Sequence, residues 1–442
     1  MSLSFISSFY WSRSAFLRSV IKDFIYLFPG ISARLLQGFI INIILAIYLS
    51  PKEMGLYTLF WIGQVYLSAL LSGWLSNASI RFLPQNKKET PILLRILINY
   101  FVIIFVLLLL IISPIAIYYL SDNYINYLLA TLSLFLFWSL FFIFQSILRG
   151  LFMLSYYSVF SILNPVLIVL FLLLFINRFD DKVFGALLTI SFSHMPICLS
   201  QYIVIYFLVK KYNYRINSLD MRINIYKYIK YGLPLSMSYL LLNCLFSVDR
   251  YILIYYFDLA TLGVYAFWMT MGLQIVRGCY DIFLFVLNPR LYELNANDAK
   301  QANIFVHKII KWYVLIALPL VVFLGYALPH IFYWLQVKEN FFAYSALIFP
   351  GLISGFFLGL AQLCGKSLEF RQTTSYYLYA AGAGVISMLT LLYVFLAICR
   401  LGIFAAALAS TIGIAVYLIF IIICTCDLEL IKSLNLSVKR IK

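Results

Sequence analysis

The stretch GLPLSMSYLLLNCLFSVDRYILIYYFDLATLGVYAFWMT (residues 232–270) decides the fold class. Nearly every residue in it is apolar or aromatic, yet Asp249-Arg250 stands inside the first run and a short polar turn at Asp258 separates it from the second. A helix needs about 20 mostly apolar residues to cross a bilayer. The stretch therefore reads as parts of two membrane spans, 229–256 and 261–287, joined by a tight connection. An ionised pair inside a span is costly, so it faces a cavity or carries a function.

The rest of the chain extends this reading. Of 442 residues, 64% are hydrophobic and only 11% charged, with a mean hydropathy of +0.98. A soluble domain carries about 25% charged residues. So few charges cannot cover a globule of this size, and lipid must be the solvent. The net charge of +16 then records membrane orientation and not a nucleic-acid partner. Soluble enzymology and secretion are disfavoured as well, because the N-terminus lacks the apolar core and cleavage site of a signal peptide. The seven cysteines are scattered through apolar runs without CxxC spacing or histidine partners. They read as small core residues, with no metal site and no disulfide framework.

Measured by span length, the chain is an all-α polytopic membrane protein with twelve transmembrane helices. The ranges are 24–49, 54–76, 96–120, 126–148, 156–177, 183–209, 229–256, 261–287, 311–335, 341–364, 375–399 and 402–426. The expected organisation is a cytoplasmic amphipathic lead-in (1–23), an N-terminal six-helix bundle (24–209), a basic cytoplasmic linker (210–228), a C-terminal six-helix bundle (229–426) and a basic cytoplasmic tail (427–442). No connection has room for an extramembrane catalytic domain. With the N-terminus inside, 24 of the 32 Lys and Arg fall on inside segments, five (Lys52, Arg178, Lys182, Lys338, Arg400) on outside loops and three within spans. The positive-inside rule then puts both termini in the cytoplasm.

The chain also repeats. IYLSPKEMGLYTLFW (47–61) matches YYFDLATLGVYAFWM (255–269) at an offset of 208, pairing Tyr48 with Tyr256, Gly55 with Gly263 and Tyr57 with Tyr265. Arg81 pairs with Arg290 nearby, and FGALLTIS (184–191) resembles FAAALAST (404–411). Six spans per half give both halves the same orientation, related by an axis along the membrane normal. Such a duplication places a substrate path between the halves.

Three arginines lie within spans: Arg34, Arg250 and Arg277. A guanidinium stays charged anywhere and grips phosphate through parallel hydrogen bonds, so these three are the candidate substrate contacts. Asp249 and Asp281, the latter four residues from Arg277 and on its helical face, are candidate switching or coupling partners. Three arginines against two aspartates predict a modestly cationic interior. The competing reading is salt bridges that lock helices together. His194, mid-span beside Pro196, reads either as a proton relay in coupling or as a buried hydrogen-bonded histidine. GLAQLCGKS (359–367) imitates a phosphate-binding loop but has five residues between its glycines where that loop has four, and no strand precedes it. Gly351, Gly355 and Gly359 form a doubled GxxxG, a signal for close helix packing. Pro29 and Pro234 each open the first span of a half and read as hinges.

Gly232, Pro234, the run Asp249-Arg250-Tyr251-Ile252-Leu253, Gly263 and Tyr265, together with SIRFLPQ (79–85), NPRLYEL (288–294) and RLGIFAAALAST (400–411), resemble the pattern of Wzx-type polysaccharide flippases. These form the polysaccharide-transporter branch of the multidrug/oligosaccharidyl-lipid/polysaccharide (MOP) exporter superfamily. The resemblance implies a MATE-like fold and a transporter, not an enzyme. The implied cargo is an undecaprenyl-pyrophosphate-linked oligosaccharide, such as an O-antigen (lipopolysaccharide), capsule or exopolysaccharide repeat unit. Location in the bacterial inner membrane, association with polymerase and chain-length machinery, and antiport driven by a proton or sodium gradient without a bound cofactor are implied with it. The alternative is a MATE-like exporter of small molecules or drugs, which would favour an acidic cavity.

Overall fold

The computed structural model describes residues 28–30, 32–33, 36–83, 90–119, 122–210, 218–371, 373 and 375–439. Among them the architecture is all-α, with no strand. The N-terminal half holds α1 (Leu36–Tyr48), α2 (Pro51–Leu71), α3 (Gly73–Phe82), α4 (Thr90–Tyr119), α5 (Asp122–Gly150), α6 (Leu154–Phe175) and α7 (Lys182–Lys210). The C-terminal half holds α8 (Ser218–Ser247), α9 (Asp249–Leu253), α10 (Leu259–Asn297), α11 (Ala299–Trp334), α12 (Ile348–Cys364), α13 (Lys366–Phe370), α14 (Ser375–Leu392) and α15 (Ile403–Lys439). Nine helices among the described residues are long and apolar enough to cross a membrane. The other three expected spans, 24–49, 96–120 and 229–256, overlap helical stretches, α1, α4 and α8–α9, that are not among those nine.

The chain runs back and forth between two ends. At one, called the Ser50 end, the connections around Tyr48–Pro51, Asp181, Asp258 and Lys338 gather. At the other, the Arg81 end, the Arg81 guanidinium lies 5.5 Å from the Tyr231 ring and Lys227 lies 4.3 Å from the Phe82 ring. These two contacts join the halves.

Local chemistry explains where the central helices begin. Ser50 caps α2 in a reciprocal box: Glu53 N donates to Ser50 Oγ (3.3 Å) and Ser50 N to Glu53 Oε2 (2.6 Å), with Pro51 in the first turn. Such a box satisfies two amides that the helix cannot. Asp258, 208 residues later, caps α10 by accepting from Thr261 N (3.0 Å). The Thr261 hydroxyl and amide hold the Asp258 carboxyl below its ordinary range. The repeated sequence thus starts the same helix in each half.

One turn further on, the two repeats meet. A Cβ on Gly263 would lie 1.8 Å from Pro51 O and 2.8 Å from Gly55 N, and one on Gly55 would lie 2.2 Å from Leu259 O. Repeat-equivalent residues in mutual contact lie on the axis that relates the halves, and the crossing of α2 and α10 at these glycines is that point. Only glycine lets the backbones come so close. The doubled GxxxG acts in the same way, with Gly351 and Gly355 against Met269, Leu273 and Val276 of α10. Gly263→Ala is expected to destabilise the bundle by about 1–3 kcal/mol through overpacking. Thermal unfolding in detergent checks this, and an unchanged midpoint would contradict the close crossing.

The expected span 229–256 is interrupted. The Arg250 amide turns to Asp249 Oδ1 (2.9 Å), and the Arg250 guanidinium donates to Phe246 O. The helix therefore ends at Ser247 and restarts at Asp249. The span expected at 341–364 likewise opens as a 3₁₀ segment, Glu339–Leu347, kinked at Tyr344. Trp268 Nε1 holds that segment by donating to Phe341 O (2.6 Å).

Candidate functional site

A cavity of about 380 Å³ lies between the halves. Its wall comes from α1 and α2, from Trp138 and Phe142 of α5, from α8–α10, and from Ser354, Ser410 and Ile414 of α12 and α15. Asp249, Arg250, Arg277 and Asp281 all line it. Four of the six residues singled out from the sequence are thus brought together.

They are not equivalent. Asp249 is buried, 1% exposed, and fully engaged. Its Oδ2 accepts from Tyr265 OH and from Ser410 Oγ (2.8 Å), and its Oδ1 from the Arg250 amide. Arg250, 5% exposed, donates to Phe246 O, to Thr270 Oγ1 (3.0 Å) and to Asp249 Oδ1 (3.4 Å). This pair ties α8, α9, α10 and α15 into one unit. Arg277 differs: its side chain is 37% exposed, and its polar contact is a single 3.4 Å bond from Nε to Asp281 Oδ2, itself 35% exposed. The two terminal nitrogens of Arg277 remain available to the cavity. Phe246 lies beneath its guanidinium, 6.0 Å from ring centroid to Cζ.

His194 does not reach the cavity. It is fully buried behind Trp138, with the two ring centroids 5.1 Å apart, and Phe141 packs on it at 5.7 Å. Its Nδ1 bonds to Ile190 O (2.7 Å), whereas Nε2 has no partner among the described residues. Trp138 lines the cavity and packs on His194 from that side. Arg34 lies outside the described residues. Among the described residues the cavity wall carries two arginines and two aspartates, which balance, so the expected cationic excess is not seen among them.

The sequence reading missed the neutral polar lining: Gln37, Asn42, Thr58, Asn243, Thr270 and Gln274. Gln274 Oε1 is buried without a partner among the described residues, three residues before Arg277. Gln37 Oε1 accepts from Asn164 Nδ2 (3.1 Å). Amides at mid-span were a legible signal, because buried polar groups need partners. Among the described lining residues the charge lies in the C-terminal half. At the 208-residue offset, Asp249, Arg250, Arg277 and Asp281 correspond to Ile41, Asn42, Ala69 and Gly73.

The Ser50 end of the cavity is shut by the crossing of α2 and α10. It is shut also by a lysine tie between the halves, since Lys338 Nζ donates to Tyr48 O (2.8 Å) and Lys182 Nζ reaches the same oxygen at 3.5 Å. Tyr48 ends α1, where a free carbonyl and the helix dipole favour cations. Burial and the neighbouring Lys182 push the Lys338 ammonium pKa down, and Glu53 opposes this. Lys338→Ala is expected to loosen this end. In a cysteine-free background, a cysteine at Thr58 should react faster with an impermeant maleimide added on the Ser50 side; an unchanged rate would show that the glycine crossing alone keeps it shut.

The bundle resembles solved transporters over nearly its full length. One is an inward-facing multidrug resistance MATE family transporter of the MOP superfamily, with a TM-score of 0.70 and 15% identity over 89% of this chain and 94% of that one. Another is a MATE in complex with MaL6, with a TM-score of 0.66 and 17% identity over 92% and 95%. A third is a MOP superfamily transporter from Pyrococcus furiosus described as having a binding pocket of reverse polarity, with a TM-score of 0.65 and 17% identity over 92% and 94%. No curated protein sequence matches the chain. The fold is thus the one these transporters have, and the chain is a multi-pass membrane protein. Residues 20–295 match the family described as Polysaccharide biosynthesis protein, so the chain belongs to that family.

Proposed function

We propose that the chain is a flippase that moves an undecaprenyl-pyrophosphate-linked oligosaccharide from the cytoplasmic to the outer leaflet of the bacterial inner membrane by ion-coupled alternating access. The observation that carries this reading is Arg277: a half-exposed guanidinium, held by one weak contact, in a polar cavity between two halves of a transporter from a polysaccharide biosynthesis family. A pyrophosphate accepts two parallel hydrogen bonds from such a fork. Neutral amides and the aromatic rings of Trp61, Trp138 and Tyr239 in the wall suit sugar hydroxyls and sugar faces. The prenyl chain stays in the lipid while the head group crosses.

The switch follows from the same contact. Head-group phosphate and Asp281 compete for Arg277: phosphate bound from the cytoplasm displaces Asp281, Asp281 returning to Arg277 on the outer side expels it, and the emptied carrier resets as a proton or sodium ion on Asp281 moves inward. Asp249 and Arg250 keep the C-terminal half rigid while it moves. His194, one ring behind the cavity, is a second candidate carrier of a proton. The lysine-rich Arg81 end faces the cytoplasm, and the machinery that polymerises the repeat unit and sets its chain length is a partner in the same membrane once the cargo has crossed.

Purified protein in vesicles provides the test. Prenyl-pyrophosphate oligosaccharide should become accessible to an added glycosidase only when a proton or sodium gradient is imposed. Accessibility that persists after the gradient is dissipated rules out the coupling, and no accessibility under either gradient rules out the cargo.

A further inference from the structure

A second charged feature lies away from the cavity, on the lipid-facing side of the C-terminal half. Helix α11 is 36 residues long, and at about 1.5 Å per residue it is far longer than the ~30 Å hydrocarbon layer. Its sequence says which part is in the lipid. Residues 312–334 are almost wholly apolar, with exposed Trp312 and Trp334 at the two ends. Those 23 residues span about 34 Å, and tryptophan prefers the membrane–water interface. Trp312 therefore marks the hydrocarbon edge, and the turns before it stand in the head-group layer.

Those turns are basic along one face. A groove of about 370 Å³ is lined by Lys300, Asn303, Ile304, His307, Lys308 and Lys311. The three lysines and His307 are exposed. Among the described residues, no carboxylate pairs with any of the three lysines. Asp298, the nearest acid before them, is occupied as the cap of α11 by the amides of Lys300 (2.9 Å) and Gln301 (3.0 Å). His307 Nδ1 is turned to Asn303 O (2.8 Å).

We propose that this face of α11 binds anionic phospholipid head groups, independently of the cargo. The charge is complementary, because three cations at the level of the phosphates lack anions of their own, and each is worth about 1 kcal/mol near an anionic surface. The spacing selects the occupant. Lys300 and Lys311 lie eleven residues apart, about 16 Å along the axis, too far for one pyrophosphate but suited to two neighbouring phospholipids. Bound there, the lipids anchor α11 in the interface, and Ile304 takes up the upper part of an acyl chain.

Trp312 supplies its own reporter. The full-length protein is reconstituted in bilayers containing dibrominated phosphatidylglycerol or dibrominated phosphatidylcholine, and the quenching that Trp312→Phe removes is assigned to Trp312. The expected result is half-quenching at about fivefold lower mole fraction of phosphatidylglycerol than of phosphatidylcholine, weakening with salt. The triple variant Lys300→Gln, Lys308→Gln, Lys311→Gln should lose the preference, and the same three positions as arginine should keep it. Equal quenching by both lipids in the wild type overturns the proposal even where the neutral variant fails to fold. So does a preference that survives in the folded neutral variant, or one that a single equivalent of prenyl pyrophosphate abolishes, since that would make the face a cargo site.

Discussion

Arg277→Ala is expected to abolish export of polymer while leaving the protein in the membrane. Arg277 has 37% of its side chain exposed and a single 3.4 Å contact to Asp281, so its removal costs the fold little. Among the described residues, it is the fork-shaped donor pair open to the cavity that this change removes. Hydrogen bonds to a charged group contribute about 1.5–3 kcal/mol each, and loss of two corresponds to a fall of at least ~100-fold in transport. Arg277→Lys keeps the charge but not the fork, and should retain a fraction of the activity. Asp281→Asn should keep the head-group contact and lose dependence on the ion gradient. Surface polymer, measured against membrane protein level, gives the answer. Unchanged display in Arg277→Ala would remove the residue from the site and reduce it to a helix-surface ion pair.

Asp249→Ala should act on the fold. The carboxylate accepts from Tyr265, Ser410 and the Arg250 amide, and its removal leaves the guanidinium of Arg250 buried without its counter-ion. Breaking a buried pair by removing one partner costs about 3–5 kcal/mol, a large share of the 5–15 kcal/mol typical of folded proteins. Loss of folded protein is expected, seen as low membrane abundance and early unfolding in detergent. Removing both charges together, as Asp249→Leu with Arg250→Met, should recover much of the abundance, because no unpaired charge remains. If Asp249→Ala is as abundant as wild type and fails only in transport, Asp249 is a coupling residue and the structural role assigned to it is wrong.

The contrast between these two pairs shows what the sequence can and cannot convey. Membrane spans and their polarity are legible, since a lipid solvent demands long apolar helices and leaves every ionised residue conspicuous. Arg277 and Asp281 are legible as a pair because four residues make one helical turn. The fate of Asp249 and Arg250 is not, because it depends on Thr270, Tyr265 and Ser410, up to 161 residues away. The same limit applies to Gly55 and Gly263. Their equivalence is visible as a repeat, but their mutual contact follows only once two helices cross on the axis of the halves. Burial of His194 behind Trp138 again rests on partners from another helix. The amide lining of the cavity is legible in the same way as the charges, because neutral polar groups at mid-span also need partners in lipid.

The cargo is what separates a flippase from a drug exporter. The most direct measurement is the lipid extract of cells lacking this chain, tested for a prenyl-pyrophosphate oligosaccharide that is shielded from enzymes added outside the inner membrane. The account predicts that one repeat unit accumulates in shielded form and becomes accessible when the wild-type chain, but not Arg277→Ala, is restored. Cells that accumulate no such lipid and instead retain cationic dyes would contradict it, and would make the cavity that of a drug exporter.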